Sequence, residues 1–286
     1  MEIAINHDSC INCGRCIKIC PSEIFEFTED KKAVVVARRI KNCIVCGHCV
    51  GVCPTNSITH SSFPAEKVHK IDFSQIPTAE QMMMLCKARR SNRAFSDKEV
   101  PQEFLDTIIE AGHRAPTASN LQQVRFTLVT DPEKIKLISD YTLSVFAPLI
   151  KALDSLWGKI FVKPFAKSLY RYIPVFKKMK RENAKGNDMI LRGAKAVIII
   201  HASKVTKFGC QDCNLAYQNA SLMAECLGVS QFYGGFVCSA IKQDKQNRLN
   251  KILGIKTEIH AVMALGMPQF KFVNYIDKKD AIITKL

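Results

Sequence analysis

Residues 10–21 read CINCGRCIKICP and residues 43–54 read CIVCGHCVGVCP, so one CxxCxxCxxxCP pattern occurs twice near the start of the chain. Such self-similarity marks two copies of one structural unit. Each copy puts three thiols on a single loop, close enough to hold three corners of an iron–sulfur cubane, with a fourth just before a proline. Zinc also favours CxxC pairs, but it takes four ligands in a tetrahedron, usually from two separated knuckles. Three cysteines per loop plus a fourth, doubled, suits 4Fe–4S clusters better. Gly14 and Gly47 follow the second cysteine of each run, where the backbone must turn tightly and present N–H groups to the sulfurs. Pro21 and Pro54 cannot continue a helix. His48 falls inside the second run and reads as an exposed or orienting residue, because four thiolates already suffice.

Residues 1 to about 60 resemble the bacterial two-cluster ferredoxins. In those proteins the cysteine before the proline reaches the other run's cluster. The resemblance therefore implies Cys10, Cys13, Cys16 and Cys53 on one cluster and Cys43, Cys46, Cys49 and Cys20 on the second. The intervening VVVA, Val34 to Ala37, suits a short hairpin covering the clusters.

Beyond Pro54 a polar stretch, TNSITHSSFPAEK, reads as an exit and linker, giving a first domain at 1–60, a linker at 61–75 and a second domain at 76–286. Thr78 and Gln81 form a capping-box pattern that predicts a helix toward Arg89. Val100 and Pro101 open another, with Phe104, Leu105, Ile108, Ile109 and Gly112 on one face. Strands are expected at 124–130, at 196–203, whose apolar run suits burial on both faces, and at 258–266. A helix from Asp212 to Leu227 ends at Gly228, and another precedes Gly254. The layout is α+β, with a central mixed sheet flanked by helices.

No GxGxxG follows a strand, so a dinucleotide-binding Rossmann unit is unsupported. Four other patterns occur in order: RRSNRAF at 89–95, APTASNLQQ at 115–123, DCNLAYQNASLMAECLG from Asp212 into VSQFYGGF, and LGMPQFKF at 265–272. Three guanidiniums and a serine in one loop suit a phosphate, which arginine grips bidentately. Across residues 76–275 the ordered set resembles the FMN-dependent nitroreductase family. That resemblance implies an FMN site in which Arg89, Arg90, Ser91 and Arg93 bind the phosphate and ribityl chain, Arg93 also facing the N1/O2 edge. It implies that Pro116, Thr117, Ala118 and Asn120 reach the flavin from the partner of a homodimer. Tyr233, Gly234 and Gly235 would lie over the ring with a backbone N–H toward N5, and Lys271 would be a further phosphate partner. Gln123-Val124 stands where family members often have Pro-Trp. The resemblance calls for no catalytic side chain, since the chemistry is the flavin's.

The reading is thus an oxidoreductase: electrons pass from two 4Fe–4S clusters to FMN and on to a small organic acceptor such as a nitroaromatic, quinone or activated alkene. The alternative from another class is a non-catalytic redox relay or sensor serving a protein partner. Cys210 and Cys213 form a CxxC, read as incidental thiols, and Cys86, Cys226 and Cys238 read as core. From Lys151 to Lys185 ten Lys/Arg face two acids, with Trp157, Phe161 and Phe165 four apart. That stretch suits a lid or dimer surface walling a substrate pocket, docking of an acidic partner, or a membrane surface.

The whole chain carries 41 Lys+Arg against 26 Asp+Glu, a formal +15. Roughly −2 per cluster site and −2 for the FMN phosphate would bring 15 − 6 to about +9. An acidic electron-donor protein fits that surplus. Nucleic acid is not expected, for no helix-turn-helix, zinc-finger or RNP signature accompanies it. Neither a signal-type start nor a membrane-length apolar run is seen, and thirteen cysteines suit metal in the reducing cytoplasm.

Overall fold

The computed structural model describes residues 1–286 apart from Leu169. The chain forms two compact units: Met1–Pro77 with Ala118–Leu121, and Thr78–Thr117 with Gln122–Leu286.

In the first unit, β1 (Ile3–Ile5) pairs antiparallel with β4 (Ile58–His60), and β2 (Phe25–Phe27) with β3 (Ala33–Val35). The second pair is the hairpin expected at VVVA, although its strand begins at Ala33 and Ala37 already opens a 3-10 turn. Two short helices, α1 (Arg15–Ile19) and α2 (His48–Val52), carry Cys16 and Cys49 inward. The main buried cluster consists of Ile3, Ile24, Phe25 and Ile58 besides those two cysteines. So small a core stabilises a domain only weakly by itself.

The second unit is α+β. Strands β5 (Arg125–Val129), β6 (Ala196–Ala202), β7 (Ser230–Tyr233) and β8 (Glu258–Gly266) form a sheet in the order β5-β6-β8-β7. All three ladders are antiparallel; among the described residues the one parallel pairing that makes the sheet mixed is the isolated Ser91–Gln231 bridge. Every residue of β6 is buried, as its apolar run demands. Val197 and Ile199 face one layer, containing α5 (Pro132–Asp154), α7 (Tyr172–Asn183), α9 (Gly235–Gln243) and α10 (Arg248–Leu253); Ile198 and Ile200 face the other, containing α4 (Gln102–His113) and α8 (Gly209–Cys226). Between α5 and α7 lie a π turn (Gly158–Val162) and the short α6 (Lys167–Tyr170).

Local chemistry explains the boundaries. At the start of α3 (Ala79–Ala88) the Thr78 hydroxyl accepts from Gln81 N at 3.3 Å while Gln81 Oε1 accepts from Thr78 N at 2.9 Å, a complete capping box. Helix α8 starts at Gly209, three residues before the expected Asp212. A Cβ on Gly209 would lie 3.2 Å from both Ala202 Cβ and His260 Nε2, so glycine lets the helix begin against the sheet. Gly112, where a Cβ would meet the Ala216 carbonyl at 3.2 Å, lets α4 cross α8 closely. Cys86 and Cys226 are exposed rather than core, because α3 buries none of its residues and Cys226 closes α8 on its outer side. No helix among the described residues is long and apolar enough to cross a membrane.

Candidate cofactor sites

The two cysteine loops have matching backbones. Gly14 and Gly47 both cap their helices in the left-handed conformation at φ 71°, so the predicted need for glycine is real at both positions. Burial pushes the Cys49 thiol up to about 11, and Cys20, Cys46 and Cys43 are the thiols close enough to push it further. Cys20 thus stands with the second run's sulfurs, the crossover the ferredoxin pattern implies. Burial likewise raises Cys16, and the neighbouring Cys10 and Cys13 push the same way. Burial also acts upward on Cys53, but hydrogen bonds from Ser57 and Thr55 outweigh it and its pKa falls.

These loops fit iron–sulfur clusters by their donor set. Ile24 N lies 3.4 Å from Cys20 Sγ, Val45 N 3.4 Å from Cys43 Sγ and Ser57 N 3.2 Å from Cys53 Sγ, the N–H to sulfur bonds that stabilise cluster thiolates. Sequence reasoning missed His60. Ser62 N donates to its Nδ1 at 3.1 Å, which leaves Nε2 carrying the proton, and Nε2 lies 3.6 Å from Cys43 Sγ. No cysteine spacing could have signalled it, since β4 delivers it from outside both runs. His48 is exposed.

In the second unit the arginine loop is anchored from both sides. Arg89 caps α3, donating its N–H to Leu85 O at 3.0 Å, and Ser91 bridges Gln231 of β7. Asn92, another residue the sequence did not flag, is buried and donates to Phe270 O at 3.1 Å, while its Oδ1 accepts from Ala94 N at 3.0 Å. The Arg93 guanidinium sits 5.4 Å from the Phe232 ring centre. Arg93, Tyr233, Gly234 and Gly235 line one cavity of about 570 Å³, with Phe146, Phe176 and Phe236 forming much of its apolar wall. Its volume is that of a small-molecule site. The aromatics expected to wall it, Trp157, Phe161 and Phe165, are exposed; Tyr172 and Phe176 take that place.

The glycine pair works differently from its sequence reading. A Cβ on Gly234 would strike Val262 Cγ1 at 2.9 Å, so sheet packing requires that glycine, and its N–H is spent on Val262 O at 2.8 Å. A Cβ on Gly235 would meet nothing within 4 Å, leaving open space at the first turn of α9, whose N–H groups lack intrahelical partners. The Tyr233 hydroxyl points away, 3.1 Å from both Asn214 Oδ1 and His260 O.

Behind the loop, Tyr217 donates to Gln231 Oε1 at 2.5 Å, which fixes the amide and leaves Gln231 Nε2 buried without a partner. Arg89 and Arg93 lie near enough to Tyr217 to oppose the upward push of burial on its phenol. Arginines, an unmatched amide N–H and free helix N–H groups make a donor set short of acceptors. It fits the phosphate and the pyrimidine edge of a flavin, both rich in acceptor oxygens.

Other expected positions fall elsewhere. The Arg90 side chain turns to Ile276 O at 3.4 Å. Lys271 is exposed, although its neighbour Phe270 is tied to Asn92 of the arginine loop. Pro116 is exposed, and Thr117 Oγ1 accepts from Gln122 N at 3.0 Å. Ala118 and Asn120 belong to the first unit, where Asn120 Nδ2 donates to Val45 O at 2.8 Å and Ile44 O at 3.3 Å. Cys213 is fully buried with its thiol pushed up to about 12 by burial, so it is no nucleophile.

Residues 86–267 match the nitroreductase family, and residues 9–57 match the 4Fe-4S dicluster domain. The chain belongs to the nitroreductase family and carries a 4Fe–4S dicluster domain ahead of it. It is an oxidoreductase of that family. It is 26% identical over 191 residues to a Bacillus subtilis FMN reductase (NADPH), covering 66% of this chain and 65% of the relative. A second Bacillus subtilis protein, an FMN reductase [NAD(P)H], is 49% identical over 51 residues, 18% of this chain and 20% of its own. Among solved structures, a nitroreductase with bound FMN from Bacteroides fragilis superposes with TM-score 0.53 at 19% identity, over 72% of this chain and 98% of that one. One from Desulfitobacterium hafniense, also with bound FMN, gives the same values.

Proposed function

We propose that the protein takes electrons into two 4Fe–4S clusters, passes them to FMN and reduces a small organic acceptor: a nitroaromatic, a quinone or an activated alkene. The first cluster would be held by Cys10, Cys13, Cys16 and Cys53, the second by Cys43, Cys46, Cys49 and Cys20. The observation that carries the reading is an arginine-edged, aromatic-walled cavity in the same chain as two cysteine runs whose thiols neighbour one another. Clusters of this type reach low potentials, low enough to reduce a flavin downhill.

Bound FMN supplies the hydride and electron chemistry. The protein's residues do the rest. Arg89, Ser91 and Arg93, with Arg90 and Lys271 as further cations, would hold the phosphate side. Arg93 would favour negative charge on the ring's pyrimidine edge, and the first turn of α9, at Gly235, would offer N–H groups to it. The apolar wall excludes water and orients the acceptor. The family resemblance further proposes a homodimer with FMN at its interface, Pro116, Thr117, Ala118 and Asn120 approaching from the partner, and cytoplasmic work with an acidic donor protein.

Anaerobic titration with dithionite or reduced ferredoxin tests the route: bleaching of the cluster absorption should be followed by bleaching of the flavin. Clusters that reduce while the flavin stays oxidised would sink it. Multiple turnovers with a nitroaromatic or quinone are expected, whereas one stoichiometric oxidation would indicate a relay.

A further inference from the structure

Between α5 and α6 the chain displays Leu156 and Trp157 at 74% exposure each, Phe161 at 56% and Phe165 at 91%. The Trp157 and Phe161 ring centres lie 4.6 Å apart, so they form one apolar shelf. Exposed apolar residues scattered singly need no explanation, but a contiguous group does. The charged residues of this segment are all cations: Lys159, Lys163, Lys167 and Arg171 occur with no acid from 155 to 171. The nearest carboxylate, Asp154, is already paired with Lys159 at 3.2 Å and Lys177 at 2.5 Å. Aromatic and aliphatic side chains ringed by lysine are the composition of segments that lie in the headgroup layer of anionic bilayers. Contact of the shelf with the same shelf of a second copy is a poorer arrangement, since it would oppose like charges with no carboxylate to pair them.

Along the chain the shelf lies between parts of the cavity wall: Leu149 and Leu153 before it and Tyr172 after it line that cavity. We propose that residues 156–165 dock on an anionic lipid surface, so that an apolar acceptor of the quinone class enters the cavity from the bilayer. Docking stands by itself; the choice of acceptor rests on the proposed function.

Trp157 is the chain's one tryptophan, so its emission reports on the shelf alone. The anaerobically purified full-length protein, with its cofactors, is mixed with phosphatidylglycerol–phosphatidylcholine vesicles or with phosphatidylcholine alone. Expected are a shift of emission to shorter wavelength and flotation with the anionic vesicles, both reversed by high salt. The Phe161→Glu/Phe165→Glu protein, which keeps Trp157, should partition about tenfold less. Unchanged emission without flotation overturns the proposal, as does equal binding to both vesicle types. It is also overturned by short-wavelength emission in lipid-free solution that moves to longer wavelength on dilution, which would place a second copy on the shelf. None of these readouts needs turnover, so their failure leaves the electron route standing. Docking without quinone turnover, in a protein that still turns over nitroaromatics, overturns the acceptor half alone.

Discussion

Asn12 and Val45 hold the same place in the two cysteine runs, two residues after the leading cysteine, and both lie in the left-handed region at φ 51° and 53°. The match continues through Cys20 and Cys53, at ψ 112° and 114°, to Glu23 and Asn56, at φ 50° and 52°. Asparagine is at ease in that region and valine is not. The two loops therefore share one backbone shape, which at position 45 overrides the preference of the residue that fills it. What differs is the support. Asn12 steadies its loop with its own side chain, Oδ1 accepting from Ala33 N at 3.0 Å. Val45 cannot, and its carbonyl is held by Asn120 from a segment far along the chain.

Substituting the crossing cysteines should have the largest effect. Cys20→Ser and Cys53→Ser should each halve the iron per chain, and crosswise, Cys20→Ser losing the cluster of residues 43–49. Iron analysis with low-temperature EPR decides it; loss of the cluster nearer in sequence would break the pairing. Next come Gly14→Ala and Gly47→Ala, each forcing a Cβ into the left-handed region at a cost of about 1–2 kcal/mol. Gly14 should suffer more, since its Cβ would sit 2.9 Å from Phe27 against 3.2 Å from Phe63 at Gly47; anaerobic thermal melts would rank them. The third comparison exchanges the residues. Asn12→Val should cost about 1–2 kcal/mol, and Val45→Asn should gain about 0.5–1 kcal/mol by relieving the strained angle. Asn120→Ala should cost about 1 kcal/mol, the usual worth of such bonds; denaturant titration that finds Val45→Asn destabilising would refute the strain account. The smallest effect is electronic: His60→Phe removes a donor from Cys43 Sγ and should lower the potential of the second-run cluster alone. A redox titration in which both clusters move equally would show that His60 acts indirectly.

The sequence made legible whatever rests on short-range spacing. The doubled cysteine pattern, the Thr78–Gln81 capping box and the β8 span of Glu258–Gly266 all follow from neighbours in the chain. Contacts between distant segments stayed hidden. Gln231 and Tyr217 read as ordinary strand and helix residues until the fold brings them to 2.5 Å. Gly234 reads in sequence as a place where the backbone nears a ligand, and only the fold adds its second demand for glycine, the close packing on Val262. His60 lies outside every motif, and Asn92, though inside RRSNRAF, shows its part only through Phe270, a partner at another place in the chain.

The nearness of Cys20 to the second run's sulfurs has a consequence for assembly. If each loop completes its neighbour's metal cage, filling either site ties the two loops together and holds the second site's ligands in place. Maturation would then be cooperative: in the intact chain the first cage to fill would ease the filling of the second.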